Sequence, residues 1–279
     1  MPDGYKDIVV RACGPAAASA MSNSLGRAPS RHDFLGVPID CLTFAETIAA
    51  ADRAIESRQS LRLVCLNVAK FIGMRKSAEL DQDVRSSNII SIDGRGVVWA
   101  ARLLGIAVPE RVAGVDLMEG MIQLCAAKRY RPYLLGARPD VLQNLITNIR
   151  HRFPGLELAG SHHGYFGPDQ EREIMAAVKC SRADCLFVGM PTPRKERLLV
   201  RYHGDLGIPF TMGVGGSFDV LAGKILRAPR FVQDVGLEWL FRTMQEPVRL
   251  GPRYLMTNAA FARIMVKTLA SKFLSGIAP

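Results

Sequence analysis

The chain has 279 residues, 48% of them hydrophobic, which is enough for one large or two small globular domains with a sizeable buried core. Its formal net charge of +10 favours an anionic partner, and composition alone leaves nucleic acid, acidic lipid and phosphate-bearing substrates open. The six cysteines stand singly and no run of about 18 apolar residues occurs. Zinc-finger and membrane-spanning classes are therefore excluded, and we expect a reduced cytoplasmic protein.

The N-terminal segment is rich in Gly, Pro, Ala and Ser and shows no sustained periodicity. This composition predicts a disordered leader over residues 1–34. The segment also lacks the apolar stretch of a signal peptide, so we expect no secretion.

From residue 35 onward, short apolar runs alternate with helical patterns. Six runs predict strands, at residues 61–67, 88–93, 132–137, 156–162, 184–190 and 208–214. Thr43, followed by Glu46, predicts the cap of a helix over residues 44–55, and residues 139–151 also have helical spacing. Together they predict an α/β, Rossmann-like catalytic domain over residues 35–223, with a mostly parallel sheet and helices on both faces. Ligands of such sheets bind beyond the carboxyl ends of the strands.

Asp93 follows the second predicted strand in the sequence DGRG. A carboxylate on such a tight turn can act as a general base, or it can simply close the turn as an Asx residue. The residues alone leave both interpretations open.

Two later strand ends are suited to bind phosphate. The sequence GVGGS at residues 213–217 precedes a helical run, so the amides of Gly215 and Gly216 can cradle a diphosphate. The sequence GMPTPRKE at residues 189–196 offers two adjacent cations, Arg194 and Lys195. On its own, the second pattern is more simply explained by a proline-started helix with solvated charges.

The composition changes near residue 224. Residues 224–279 hold nine basic and three acidic residues, so six of the ten excess positive charges lie in the last fifth of the chain. Aromatic and aliphatic residues alternate with these charges, which predicts a C-terminal appendage of amphipathic helices on an anionic membrane surface. Packing of the same helices against the core remains an alternative.

The ordered series of motifs resembles the WecG/TagA/CpsF glycosyltransferases over about residues 35–255. The motifs are IDGRGVVWAARLLG, ERVAGVDL, YLLGARP, GYF, GMPTPRKE, GVGGSFDVLAGK, RAP and GLEWLFRTMQEPVRLGPRYL. The resemblance implies an inverting, metal-independent transferase without a cofactor. It implies a UDP-sugar donor, a polyprenyl-diphosphate-linked sugar as acceptor, and a peripheral position on the inner face of the bacterial plasma membrane. A homo-oligomer is left open.

The resemblance also assigns roles to residues. Asp93 becomes the general base and Asn67 positions substrate beside it, while Arg111 contacts phosphate or acceptor. Charge on the leaving UDP is stabilised by Arg242, Arg249 and Arg253. The other residues expected to bind substrate are Tyr165, Gly189, Arg194, Lys195, Glu196, Gly215, Gly216 and Asp219.

Two positions depart from the pattern of many members. Cys65 replaces a threonine, and Lys195 replaces a glutamine, so the hydrogen bonds offered to the sugar change. Donors of the family include N-acetylmannosamine, its uronic acid and glucose, and the GMPTPRKE variant favours an exopolysaccharide glucosyltransferase.

Two other classes of protein are alternatives. A non-catalytic basic protein that binds nucleic acid or another polyanion lacks any helix-turn-helix, zinc-finger or RNP signature here, so we expect no nucleic-acid partner. A nicotinamide dehydrogenase would need a G-x-G-x-x-G turn after a strand, which is missing.

Overall fold

A β-hairpin opens the part of the chain that the computed structural model describes, residues 31–274. Strand β1 (Arg31–Phe34) pairs with β2 (Val37–Asp40) in antiparallel fashion. Arg31 donates through two nitrogens to the Asp40 carboxylate, at 2.9 and 2.8 Å. Because β1 contains Arg31–Phe34, with Phe34 fully buried, the leader predicted to reach residue 34 ends at least four residues earlier. Its remaining residues, 1–30, lie outside the described part.

Six parallel strands form the central sheet, as predicted. In chain order they are β3 (Leu61–Leu66), β4 (Ile89–Ile92), β5 (Pro132–Gly136), β6 (Gly160–His162), β7 (Cys185–Gly189) and β8 (Phe210–Gly213). They lie in the sheet in the order β4-β3-β8-β7-β5-β6. Strand β6 is shorter than predicted, since its pairing with β5 begins only at Gly160. The sheet confirms the α/β, Rossmann-like fold.

Helices cover both faces of this sheet. They are α1 (Phe44–Glu56), α2 (Val68–Met74), α3 (Ala78–Arg85), α4 (Arg95–Leu103), α5 (Gly114–Lys128), α6 (Pro139–Arg152), α7 (Pro168–Cys180), α8 (Arg194–Leu206) and α9 (Ser217–Leu221). The predicted capping box of α1 is present, with Thr43 and Glu46 bonding each other's backbone N–H. Helices α1, α5, α6 and α9 share one apolar core with the sheet, and the other helices pack on the opposite face.

Connections leave β5 and β7, which are neighbours, in opposite directions. The chain passes from β5 to β6, its neighbour toward one edge of the sheet, whereas it passes from β7 to β8, its neighbour toward the other edge. Such a reversal opens a crevice beyond the carboxyl ends of the two strands, where open α/β sheets bind their ligands. From β7, the strands β8 and β3 continue to β4, a span of about 14 Å at the usual strand spacing.

The C-terminal appendage consists of three further helices, α10 (Arg230–Asp234), α11 (Glu238–Gln245) and α12 (Pro247–Leu274). Helix α12 packs on the domain through Phe261, whose ring centroid lies 5.6 Å from that of Phe71 and 6.4 Å from that of Phe34. The appendage therefore shares a core with the sheet domain. Within residues 31–274, none of the helices combines the length and apolar composition needed to cross a bilayer.

Candidate active site

Asp93 lies directly after β4, at the carboxyl edge of the sheet. Its backbone N–H donates to the Leu66 carbonyl at 2.8 Å, which ties the turn to β3. Gly94 follows with a φ of 103°, a conformation that glycine adopts without strain, and α4 begins at the next residue. Gly114 brings α5 close from the other side, since a Cβ there would lie 3.6 Å from Asp93 Oδ2.

The surroundings of Asp93 suit a base. Its carboxyl group has a raised pKa, chiefly because it is buried, and the nearby Glu238 raises the pKa further. Arg111, Arg242 and the Gly114 N–H act in the opposite direction without cancelling the shift. A raised pKa brings a carboxylate nearer to the range in which it accepts a proton efficiently.

Glu238 joins the appendage to the domain beside Asp93. One of its carboxylate oxygens accepts from Arg111 at 2.9 Å, and the other accepts from Arg242 at 2.8 Å. Arg111 also donates to Gln233 at 3.2 Å. Burial raises the pKa of Glu238, but Arg242 and Arg111 outweigh it, so the pKa is lowered and the carboxylate stays ionised.

Two more arginines lie on this contact. Arg227 pairs with Asp116 of α5 and donates to Gln233 at 3.2 Å, and Arg95 of α4 donates to Asp234 at 2.8 Å. Arg95, Arg227 and Arg242 each keep a buried Nε–H that has no partner among the described residues. The contact between the domain and the appendage therefore holds several hydrogen-bond donors that no described protein group accepts.

A second charged cluster, formed by Lys70, Thr192, Lys195 and Glu196, lies under the same edge; Lys70, Lys195 and Glu196 are buried, whereas Thr192 is exposed. Lys70 Nζ and Lys195 Nζ both bond Glu196 Oε1, at 2.9 and 3.0 Å, and Thr192 Oγ1 donates to that oxygen at 3.1 Å. The other oxygen, Glu196 Oε2, is buried without a partner in residues 31–274. We call this group the lysine cluster.

Burial shifts the pKa values in the lysine cluster. For Lys195, burial lowers the pKa to about 8, and the neighbouring Lys70 adds to the effect. For Glu196, burial acts upward, but the two ammonium groups outweigh it and lower the pKa to about 2. The carboxylate is therefore ionised at every physiological pH.

Asn67 is placed near Asp93, but its side chain also has a structural task. Its Oδ1 caps α2 by accepting from the Lys70 N–H at 2.9 Å. A Cβ on Gly94 would lie 3.8 Å from the Asn67 Cβ, which puts Asn67 beside the Asp93 turn. Its predicted role toward substrate stays a prediction.

The glycines of the strand ends serve packing as well as access. A Cβ on Gly189 would lie 2.5 Å from the Phe218 ring, so glycine is required there by the core. Gly215 has a φ of 51°, and Gly216 caps α9, in whose first turn Asp219 lies. Helix α9 has only five residues, so its dipole adds little to a phosphate site at this turn.

Arg194 and Tyr165 lie at the other end of the edge, by the β6–α7 loop. Arg194 donates to the carbonyls of Gly164 and Phe166, at 3.2 and 2.8 Å, and its guanidinium stacks 4.6 Å from the Phe166 ring centroid. Tyr165 is 68% exposed beside the crevice strands. The structure thus separates Arg194 from Lys195, which points into the lysine cluster.

Arg249 and Arg253 are not part of the contact around Asp93. Arg249 pairs with Glu246, and Arg253 stacks on Tyr254 at 5.1 Å; both face solvent. Of the three predicted appendage arginines, only Arg242 is brought to the Asp93 edge.

Sequence reasoning missed several residues of this site. Arg95 lies inside the DGRG turn, Glu238 inside GLEWLFR and Arg227 inside RAP, so the motifs contained them. Lys70 and Gln233 carried no signal, because only tertiary packing brings them to the edge. No three His, Cys, Asp or Glu side chains of residues 31–274 are grouped so that they can hold a metal ion.

These features define a class: a Rossmann-like α/β protein with a carboxylate and arginines at the carboxyl edge of its sheet, closed by a helical appendage. The sequence model of the glycosyl transferase WecG/TagA/CpsF family matches residues 32–273. The chain belongs to that family.

Two curated relatives are similar to the chain. A protein of Bacillus spizizenii is 34% identical over 164 residues, 59% of this chain and 63% of its own length. A protein of Bacillus subtilis is 32% identical over 178 residues, 62% of this chain and 68% of its own length. Both are named N-acetylglucosaminyldiphosphoundecaprenol N-acetyl-beta-D-mannosaminyltransferase. The chain spans just under two thirds of the first relative and just over two thirds of the second.

Proposed function

We propose that the protein is an inverting, metal-independent glycosyltransferase that moves a sugar from a UDP-sugar to a polyprenyl-diphosphate-linked sugar. The observation that carries the proposal is the raised-pKa carboxylate of Asp93, placed between the domain and the arginine-rich appendage. Family membership and the names of the two relatives support it.

The donor fits along the carboxyl edge of the sheet. Its nucleoside lies in the crevice between β5 and β7, near Tyr165, and its sugar lies at β4, beside Asp93. The span of about 14 Å from β7, at the edge of this crevice, to β4 accommodates a diphosphate and a hexose in series.

Transfer is then a single displacement. Asp93 accepts the proton of the acceptor hydroxyl as the hydroxyl oxygen forms a bond to the anomeric carbon. The bond from that carbon to the phosphate oxygen breaks, and its electron pair leaves on UDP. Arg242 and Arg111, with the unused Nε–H donors of this contact, stabilise the charge that develops on the leaving group.

Substitution of the base tests the proposal. Asp93→Asn should reduce transfer of labelled sugar from UDP-sugar to the lipid-linked acceptor by about 10²–10⁴-fold, the usual contribution of a general base. UDP binding should persist, since the amide keeps the shape of the side chain. Asp205→Asn, at an exposed position of α8, is the matched control and should leave turnover unchanged. Undiminished turnover of the Asp93 variant would exclude Asp93 as the base.

We also propose that the appendage rests on the inner face of the bacterial plasma membrane. Its exposed apolar side chains include Phe231, Val248 and Leu255, at 71, 91 and 73% exposure. Arg249 and Arg253 lie in the same segment and can contact anionic headgroups. Sedimentation with vesicles of anionic phospholipid should be lost on Val248→Asp with Leu255→Asp, and unchanged sedimentation would remove this surface from the proposal.

The names of the two relatives suggest which donor and acceptor sugars to test first. Their names specify N-acetylmannosamine as the transferred sugar and an N-acetylglucosaminyl-diphosphoundecaprenol acceptor. We propose a donor of the glucose or N-acetylmannosamine type. A thermal-shift series with UDP-glucose, UDP-N-acetylmannosamine and its uronic acid decides among them, because a ligand of the folded state raises the unfolding temperature.

A further inference from the structure

The charges at the active-site edge do not cancel. With Asp93 ionised, the four arginines of the appendage contact are matched in number by four carboxylates. The arginines are Arg95, Arg111, Arg227 and Arg242, and the carboxylates are Asp93, Asp116, Asp234 and Glu238. In the lysine cluster, by contrast, two ammonium groups share the single carboxylate of Glu196 within the described part of the chain. The excess positive charge of the site therefore lies with Lys70 and Lys195.

Such an excess is unusual, because both lysines are only 6% exposed. A buried charge that lacks a partner destabilises a fold, so it persists where something else offsets it. Asp93 belongs to the same neighbourhood, since its carboxylate and both ammonium groups act on the thiol of Cys65. Burial and Asp93 raise the pKa of the Cys65 thiol to about 11, while Lys70 and Lys195 lower it, so all three charges act on this sulfur.

The chain makes specific room for Lys195. A Cβ on Gly213 would lie 3.0 Å from Lys195 Cδ, so the lysine stem passes where any other residue at position 213 would place its side chain. The ammonium group ends beneath the next turn, with its Nζ 3.9 Å from the Cβ position of Gly215. Lys195 thus carries a charge to the underside of the turn formed by residues 213–216.

This turn lies midway along the proposed donor path. It follows β8, which stands between β7 of the crevice and β3, the neighbour of β4. If the nucleoside lies at the crevice and the sugar at Asp93, the diphosphate passes over β8. The inference below rests on that proposed function.

We propose that Lys195, with Lys70 beside it, supplies the buried positive charge that holds the donor diphosphate and stabilises UDP as it leaves. Glu196 keeps both ammonium groups in place through Oε1. Because both lysines are buried, water screens their charge less than it would screen that of a solvated lysine.

The charge should be lost at alkaline pH. Lys195 has a pKa of about 8, so its ammonium form prevails below that pH and disappears as the pH rises through it. Within the described part of the chain, the titratable groups that act on the pKa of Lys195 are Lys70, Glu196 and Cys65. The pKa of Glu196 is about 2 and that of Cys65 about 11, so neither titrates near pH 8.

Binding of UDP and of uridine to the full chain, measured by calorimetry, tests the proposal. Lys195→Gln should weaken UDP binding by about tenfold and leave uridine binding within about twofold, because only UDP carries the diphosphate. Lys179→Gln, at an exposed position of α7, is the matched control and should change neither affinity.

The pH profile separates electrostatics from structure. Between pH 7 and 9 the affinity of the unaltered protein for UDP should fall, and that of Lys195→Gln should stay level. Lys70→Gln should shift the fall to higher pH, because Lys70 lowers the pKa of Lys195. If Lys195→Gln does not fold, Lys70→Gln must show the same selective loss for UDP.

Three results would overturn the proposal: unchanged UDP affinity in Lys195→Gln, an equal loss for uridine, or the same pH profile in that variant. Failure of the unaltered protein to bind UDP at all would overturn the proposed function as well, so the two failures are distinguishable.

Discussion

Glu238 fastens the appendage to the edge of the sheet, and its removal should be measurable both in structure and in catalysis. Glu238→Gln keeps one acceptor oxygen but turns an NH₂ group toward an arginine. In the unaltered protein, the Glu238 carboxylate accepts from Arg111 and Arg242 at 2.9 and 2.8 Å, and all three side chains are mostly buried. A hydrogen bond to a charged group contributes about 1.5–3 kcal/mol, so we expect docking of α11 to weaken by about 2 kcal/mol.

That magnitude corresponds to about a 30-fold higher population of the undocked appendage. Amide hydrogen exchange of α11, followed residue by residue, should accelerate by about this factor, while β3 and β8 keep their protection. The acid limb of the profile of kcat/KM against pH should also move to lower pH. Glu238 raises the pKa of Asp93, so its loss lets the base remain ionised in more acidic solution.

Equal protection of α11 in both proteins would refute the docking role of Glu238. An acid limb that moves upward would refute the sign of its effect on Asp93. Glu246→Gln is a control in the same segment, because the side chain of Glu246 bonds the solvent-facing Arg249 and no other side chain of residues 31–274.

Two further predictions concern packing. Phe261→Ala should lower the free energy of unfolding, measured in urea, by about 3–5 kcal/mol, because it leaves a cavity beside the neighbouring rings. Phe273→Ala is the control: this side chain is 88% exposed, so the change should be less than about 0.5 kcal/mol. Equal losses would contradict the shared core of appendage and domain. Gly189→Ala should lower the free energy of unfolding by about 1–3 kcal/mol, since the added Cβ meets the Phe218 ring. Gly204→Ala, in open space on α8, should instead raise it by up to about 1 kcal/mol. Thermal unfolding of the two variants tests whether their effects are opposite.

The sequence predicted the elements of the fold well and their arrangement only in outline. Each of the six predicted runs contains a strand. Five of these strands are largely buried, because both faces of a parallel strand are covered and leave a continuous apolar pattern, whereas β6 is a short and partly exposed strand. The order of the strands depends on how distant helices pack, and no local pattern records it. The reversal between β5 and β7, which places the crevice, was therefore visible only in the structure.

The candidate site likewise contains residues that a local sequence pattern marks and residues that only tertiary packing brings together. Asp93 could be singled out because a carboxylate between a strand and two glycines is a local pattern, although its role as a base rests on the family resemblance and stays a prediction. Arg194 and Lys195 were grouped because they are adjacent in sequence, yet neighbours on a helix point about 100° apart, since each turn takes about 3.6 residues. One side chain holds the Phe166 loop and the other enters the lysine cluster. Glu238 was not singled out from the sequence, because its partner Arg111 comes from a distant segment of the chain.

The N-terminal hairpin protects a sheet edge that would otherwise invite other chains. Strand β4 is an outer strand, and its Ile90 N–H donates to Asp40 at 2.8 Å rather than to another strand. Arg31 holds that carboxylate in place. A shortened chain that starts at residue 35 would lose β1 and Arg31, leaving β4 as a template for intermolecular pairing and aggregation. For expression, the useful N-terminal limit therefore lies before Arg31.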